Sequence, residues 1–124
     1  MSTNYGNARY IGDAKTKKVR YQFAERTTII ELTPEHSLTL FNHSPDGFNW
    51  GYTGSGPAQL ALAILSDCMD DEVAIRLYQK FKREVVATWQ TDRDFEVALV
   101  DIYKWIDNEL DNQNENLAST APIP

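Results

Sequence analysis

Along the N-terminal third, short apolar stretches alternate with short polar ones: Tyr10-Ile11, Val19 to Phe23, Thr27 to Leu32, and Leu38 to Phe41. Each is rich in β-branched or aromatic residues, a composition that suits a pleated, half-buried surface. Val19, Tyr21 and Phe23 alternate with Arg20 and Gln22, so a strand there turns one face inward and the other to water. Asp13 to Thr16 and Ala24 to Arg26 are polar breaks of hairpin length. Thr33-Pro34-Glu35 ends the third run, because proline cannot donate to a ladder and the residue before it avoids helical geometry. The pattern predicts a small antiparallel sheet with one wet face.

From Pro57 the period lengthens. Proline suits a first helical turn, and Ser55 or Gly56 can cap it. The residues Ala58 to Leu65 are apolar on almost every side apart from Gln59, which predicts a buried helix running to about Asp67. Asp70 opens a second helix in which Val73, Leu77, Phe81 and Val85 recur every fourth residue, widened by Ala74 and Tyr78. Its other face carries Arg76, Lys80, Lys82 and Arg83, a pattern expected of a solvated charged surface. Thr91 or Asp92 is expected to cap a third helix with Phe95, Leu99, Ile102 and Ile106 on one face, fading near Leu110. The fold class expected is therefore α+β, a small antiparallel sheet followed by three helices. Residues 1–110 form one domain in this reading, and residues 111–124 a flexible acidic tail.

A chain of 124 residues with 42% hydrophobic and 24% charged positions has the balance of one globular core. The longest apolar run, Leu60 to Leu65, falls far short of the ~20 residues a bilayer-crossing helix needs. The N-terminus lacks a charged-then-apolar export pattern, so no membrane role is expected. Cys68 is the single cysteine, which leaves no internal disulfide and no zinc set, fits a reducing cytosol, and reads as a small apolar filler. No metal or cofactor is expected.

The net charge of −6 is unevenly spread. Residues 1–30 hold six bases, Arg9, Lys15, Lys17, Lys18, Arg20 and Arg26, against Asp13 and Glu25. From Asp101 onward, Asp101, Asp107, Glu109, Asp111 and Glu115 face only Lys104. The overall sign argues against direct nucleic-acid binding, which needs clustered bases to release counterions.

The densest chemistry lies between the last expected strand and the buried helix, in His43-Ser44-Pro45-Asp46-Gly47-Phe48-Asn49-Trp50-Gly51-Tyr52-Thr53-Gly54-Ser55-Gly56-Pro57. Pro45-Asp46-Gly47 is a turn signal, and the later glycines permit positive φ or a close backbone approach. Phe48, Trp50 and Tyr52 alternate, so an extended segment would present three rings to one side. Thr53-Gly54-Ser55-Gly56 ahead of a helix suits an anion, since free amides and the helix dipole both favour negative charge. It is neither a Walker loop nor a dinucleotide fingerprint. The competing structural reading is that small residues let the buried helix dock tightly. His43 is the acid–base candidate, near Ser44, Asp46 and Ser55 in sequence, or else an ordered polar residue at a strand end. His36 reads as a surface residue.

This stretch resembles an uncharacterised family of bacteria, archaea and mobile elements with a core close to H-S-P-x-G-F-x-W-G-Y-x-G-S-G-P-x-Q-L-A-L-A-I-L. The match runs from His43 through Leu65 and continues through Ala74 to Ala87, with a similar Tyr10-Ile11-Gly12 opening. The resemblance implies that His43, Gly47, Phe48, Trp50, Gly51, Tyr52, Gly54, Ser55, Gly56, Pro57 and Gln59 are signature positions, while Asp46 and Asn49 fill variable ones. It brings no activity with it. Its mobile-element setting suggests a non-enzymatic binding protein that inhibits a host defence system by engaging a host protein or a nucleotide signal. In the first version Asp107, Glu109 and Asp111 imitate nucleic-acid charge. In the second His43, Phe48, Trp50, Tyr52, Gly54, Ser55, Gly56 and Gln59 hold the ligand. Alternatives are a small hydrolase or transferase using His43 with Ser44 or Ser55, and an assembly module that forms a homodimer.

Overall fold

A computed structural model of the chain describes residues 8–23 and 29–120, the side chains of 115–120 excepted. Three strands open the fold: β1 (Arg9–Gly12), β2 (Val19–Gln22) and β3 (Ile29–Leu32). Four helices follow: α1 (Glu35–Leu40), α2 (Ser55–Cys68), α3 (Asp71–Glu84) and α4 (Leu99–Thr120). A 3₁₀ turn at Val86–Thr88 and strand β4 (Phe95–Ala98) separate α3 from α4. The sheet is antiparallel in the order β3-β2-β1-β4. The fold class is α+β. The break at Ala24 to Arg26, the start of the third run at Thr27 and Thr28, and residues 121–124 of the expected tail lie outside the described residues.

The β1–β2 turn is built by Asp13, whose carboxylate accepts from the amides of Lys15 at 2.8 Å and Thr16 at 3.1 Å. Those two bonds hold its pKa below the usual carboxylate value. The register places Tyr10, Gly12, Val19, Tyr21, Ile30, Leu32, Phe95 and Val97 on the face turned toward the helices.

Three expectations are corrected. The segment Leu38 to Phe41 is not a strand: Pro34 and Glu35 start α1, and the Ser37 hydroxyl donates back to the Pro34 carbonyl at 2.9 Å. Pro34 therefore opens a helical turn, a position where its missing N–H costs nothing. Second, Thr91 and Asp92 do not cap a helix, because Phe95–Ala98 pairs with β1 as the fourth strand and the helix begins at Leu99. A side-chain-free Gly12 makes this pairing possible, since a Cβ there would lie 2.2 Å from the Phe95 ring. Third, α4 runs on to Thr120 rather than fading near Leu110.

The core is centred on α2, in which ten successive residues from Gly56 to Leu65 are buried. It packs most extensively against α3, and α1 also lies against it. Tyr10 ties the sheet to its far end by donating to Asp67 Oδ2 at 2.6 Å. Asp70 caps α3 by accepting from the Val73 amide at 3.1 Å. Burying each large side chain here is worth ~1.5–3 kcal/mol, which is how a helix without an amphipathic stripe is held.

Candidate functional site

The segment from Phe41 to Gly56 folds back against α2, and Gln59 is its anchor. Gln59 is fully buried, and its amide makes four hydrogen bonds. Its oxygen accepts from the amides of His43 at 2.8 Å and Ser44 at 3.0 Å. Its nitrogen donates to Ser37 Oγ at 2.8 Å and to the Phe41 carbonyl at 3.1 Å. A side-chain amide has two donor hydrogens and two acceptor lone pairs, so all of its capacity is spent inside the fold.

The three alternating rings do not share a side. Phe48 is 7% exposed and Trp50 0%, whereas Tyr52 is 43% exposed. Trp50 donates its indole N–H to the Arg93 carbonyl at 2.9 Å and packs edge-on against Phe95, with Lys17 Nζ 4.4 Å from its ring centre. Gly51 then turns the chain outward with φ +90°, and a Cβ there would meet the Thr91 amide nitrogen at 2.4 Å. Tyr52 is thereby carried to the surface, its ring lying 2.7 Å from where a Gly54 Cβ would stand. Gly56 abuts Asn49. Gly54, Ser55 and Gly56 thus open α2 with Gly56 buried and Ser55 exposed.

His43 sits half-buried, and its Nε2 lies 2.7 Å from the Tyr78 hydroxyl. Neither Ser44, Asp46 nor Ser55 is hydrogen-bonded to its ring; Ser44 uses its backbone amide on Gln59 instead. A nucleophile–base pair needs the two groups within hydrogen-bond reach, and the described residues do not bring His43 to a serine.

What His43 does complete is an aromatic cluster. Phe41 stacks on Tyr78 with ring centres 5.9 Å apart and an interplanar angle of 25°. His43 lies 5.6 Å from Tyr78 and 6.1 Å from Phe41, centre to centre. Tyr78 is covered at 5% exposure, while Phe41 at 44% and Ile75 at 41% face solvent. Ile75 is one turn before Tyr78 on α3, and Arg76, Lys82 and Arg83 share that helix's outer surface. Of these three residues the sequence pattern singles out His43 alone, since it makes Phe41 the end of a strand and Tyr78 part of a core stripe.

The acidic positions divide. Asp107 and Asp111 are exposed on α4, but Glu109 is 6% exposed and bonded to Lys80 at 2.9 and 3.0 Å through its two oxygens. Glu109 is therefore not part of an open acidic face, and that bond raises the Lys80 pKa. Cys68 is half-buried, its thiol pushed up to about 12 by burial and by the neighbouring Asp67 carboxylate. No group of His, Cys, Asp and Glu suited to a metal ion occurs among the described residues, and no helix there is long and apolar enough to cross a membrane.

Fold and corner together define a small α+β module in which the segment leading into a glycine-rich corner is held to a buried helix by one glutamine. The chain belongs to a family of unknown function, DUF6166, whose model matches residues 10–108. No curated protein and no solved structure matches it.

Proposed function

We propose that this chain is a non-enzymatic protein-binding module whose recognition surface is Phe41 with Ile75, flanked by His43, Tyr78 and the basic outer face of α3. The observation that carries the reading is Phe41: its ring is 44% exposed, yet it is stacked on Tyr78 and its carbonyl is held by Gln59. An exposed aromatic that is already immobile loses little entropy on binding, and such side chains anchor interfaces. On the outer surface of α3, Arg76, Lys82 and Arg83 outnumber the exposed Glu72 and Glu84, which favours a partner with an acidic rim around an apolar pocket.

In this proposal the module works in the cytoplasm for a phage or other mobile element, and the host protein it occupies belongs to a defence system. Support for that setting is the resemblance of the His43 to Leu65 signature to chains of such elements, together with small size and acidic charge. The nucleotide version is weaker, because Trp50 has no exposed face on which a base could stack. The hydrolase version is weaker because the partner of the His43 ring is a phenol rather than a serine.

The test is site-specific photo-crosslinking in producing cells, with the crosslinker placed at Ile75 and, as control, at the exposed Lys104. A discrete adduct from position 75 that Phe41→Asp abolishes supports the reading. No adduct from 75, or the same adducts from 104, removes it.

A further inference from the structure

The strand β3 is the edge of the sheet, and among the described residues nothing pairs with its outer side. An open edge offers unpaired N–H and C=O groups to another extended chain. Two of its four residues, Ile29 and Ile30, are each 54% exposed, and successive strand residues point to opposite faces. On the helix-facing side, Ile30 continues a shelf formed by Tyr21 and Tyr10, whose rings lie 5.0 Å apart. One step further along that face, Leu32 opens onto a groove of about 120 Å³, lined also by Thr33, His36, Ser37, Ala63, Ser66 and Asp67.

The groove carries one carboxylate. Asp67 is exposed, uses Oδ2 to accept from Tyr10, and has no basic partner among the described residues. His36 is held by Asp71 Oδ1 at 2.9 Å on the same rim. We propose that β3 docks an extended segment of another protein, adding it as a fifth strand, and that this segment carries an aliphatic residue two positions from a lysine or arginine. The aliphatic side chain lies over Ile30. The cation, on the same face, enters the groove beside Leu32 and pairs with Asp67. Main-chain bonds supply affinity and the two alternate side chains supply selection, as in other strand additions. Charge decides against a second copy of this chain: β3 reads Ile29-Ile30-Glu31-Leu32 and has no base to offer Asp67, and each copy carries a net charge of −6. This surface shares no residue with the Phe41 patch, so variants at Ile30 and Asp67 test it without altering that patch.

The probe is a blocked heptapeptide, Thr-Val-Thr-Lys-Thr-Val-Thr, titrated into the ¹⁵N-labelled full chain and followed by amide shifts, beside the same peptide with glutamate replacing lysine. The expected result is saturable shifts at residues 29–32, about tenfold weaker binding of the glutamate peptide, and loss of that difference in Asp67→Asn, consistent with one exposed-to-half-buried charge pair. Asp67→Asn keeps an acceptor for Tyr10, and its folding is checked by the same spectrum. Ile30→Lys is expected to weaken both peptides. Absence of saturation, shifts confined elsewhere, equal affinity for the two peptides, or a dimer by light scattering with β3 amides protected would each overturn the proposal.

Discussion

Replacing Gln59 by methionine keeps the length of the side chain and removes every hydrogen bond it makes. The amides of His43 and Ser44 lose an acceptor, and Ser37 Oγ and the Phe41 carbonyl lose a donor. Ser37 is 1% exposed but keeps its bond to Pro34, and the other three groups lie on partly exposed residues that water can approach. Each lost bond then counts near the net value of ~1 kcal/mol rather than the ~1–3 kcal/mol of a fully orphaned group. Four such losses, less ~1 kcal/mol for burying methionine instead of an amide, give about 3 kcal/mol. For a domain of this size that lowers Tm by roughly 10 °C. Urea and thermal denaturation of both proteins measure it, and hydrogen exchange at His43 and Ser44 locates it. A cost below about 1 kcal/mol would refute the assignment of Gln59 as the anchor, because only water-for-amide exchange would remain.

Gln59→Glu separates hydrogen bonding from shape. Full burial and the Phe41 carbonyl, which only the protonated acid can satisfy, raise the folded-state pKa above the ordinary glutamate value of ~4.3 and outweigh the two amides of His43 and Ser44, which favour the carboxylate. A raised folded pKa gives stability that is present in full below the unfolded value and lost as pH climbs through the folded one. Gln59→Glu is therefore expected to approach the parent at about pH 4 and to fall away toward pH 7, whereas Gln59→Met stays parallel to the parent across this range.

The corner makes a second demand at Gly56, where a Cβ would lie 2.7 Å from that of Asn49; Gly56→Ala is expected to cost ~1–3 kcal/mol, recovered in part by adding Asn49→Gly. No recovery in the double variant would show that the strain lies elsewhere. Cys68 has its pKa raised from 9.0 to about 12, so its contribution is present below pH 9 and lost as pH rises toward 12. Between pH 8 and pH 10 Cys68 alone removes ~1.4 kcal/mol in urea unfolding, so Cys68→Ala should lose that part of the parent's slope and keep the smaller part due to Tyr10 and Tyr21, whose phenol pKa values are also raised. An unchanged slope in the variant would contradict it. Lys80→Met is expected to destabilise more than Lys82→Met, because only Lys80 neutralises the nearly buried Glu109; equal costs by chemical denaturation would dismiss the pair.

Where alternation alone determines the outcome, the sequence was informative: Val19, Tyr21, Arg20 and Gln22 divide between the two faces of β2 as the period demands. It failed where two periods fit the same letters. Phe95 stands four residues before Leu99, so helical spacing explains it as well as a strand does, and only the unpaired side of β1 decides for β4. Leu38-Thr39-Leu40 alternates like a strand, yet the segment is too short to resist the helical start made by Pro34. The glycines of the corner announced a shaped loop. Which ring faces out depends on the φ of Gly51, a torsion no composition records. The ion pair between Lys80 and Glu109 joins two helices whose relative rotation lies beyond any local pattern.

The division of labour at the corner bears on how function can vary while the fold persists. Trp50, Gly51, Gly56 and Gln59 are committed to internal contacts, so their retention in a related chain implies the same corner and nothing about its partner. The positions free to change are those the corner holds up or leaves bare: Phe41, Ile75, Ile29 and Ile30, all more than two-fifths exposed. A chain with the same corner and a charged residue at position 41 should fold equally well and bind something else. Transplanting Phe41 alone into such a chain ought then to transfer part of the binding, and transplanting the glycine-rich segment without it should transfer none. The opposite result would mean that recognition resides in the corner after all, with Tyr52 as its only exposed ring.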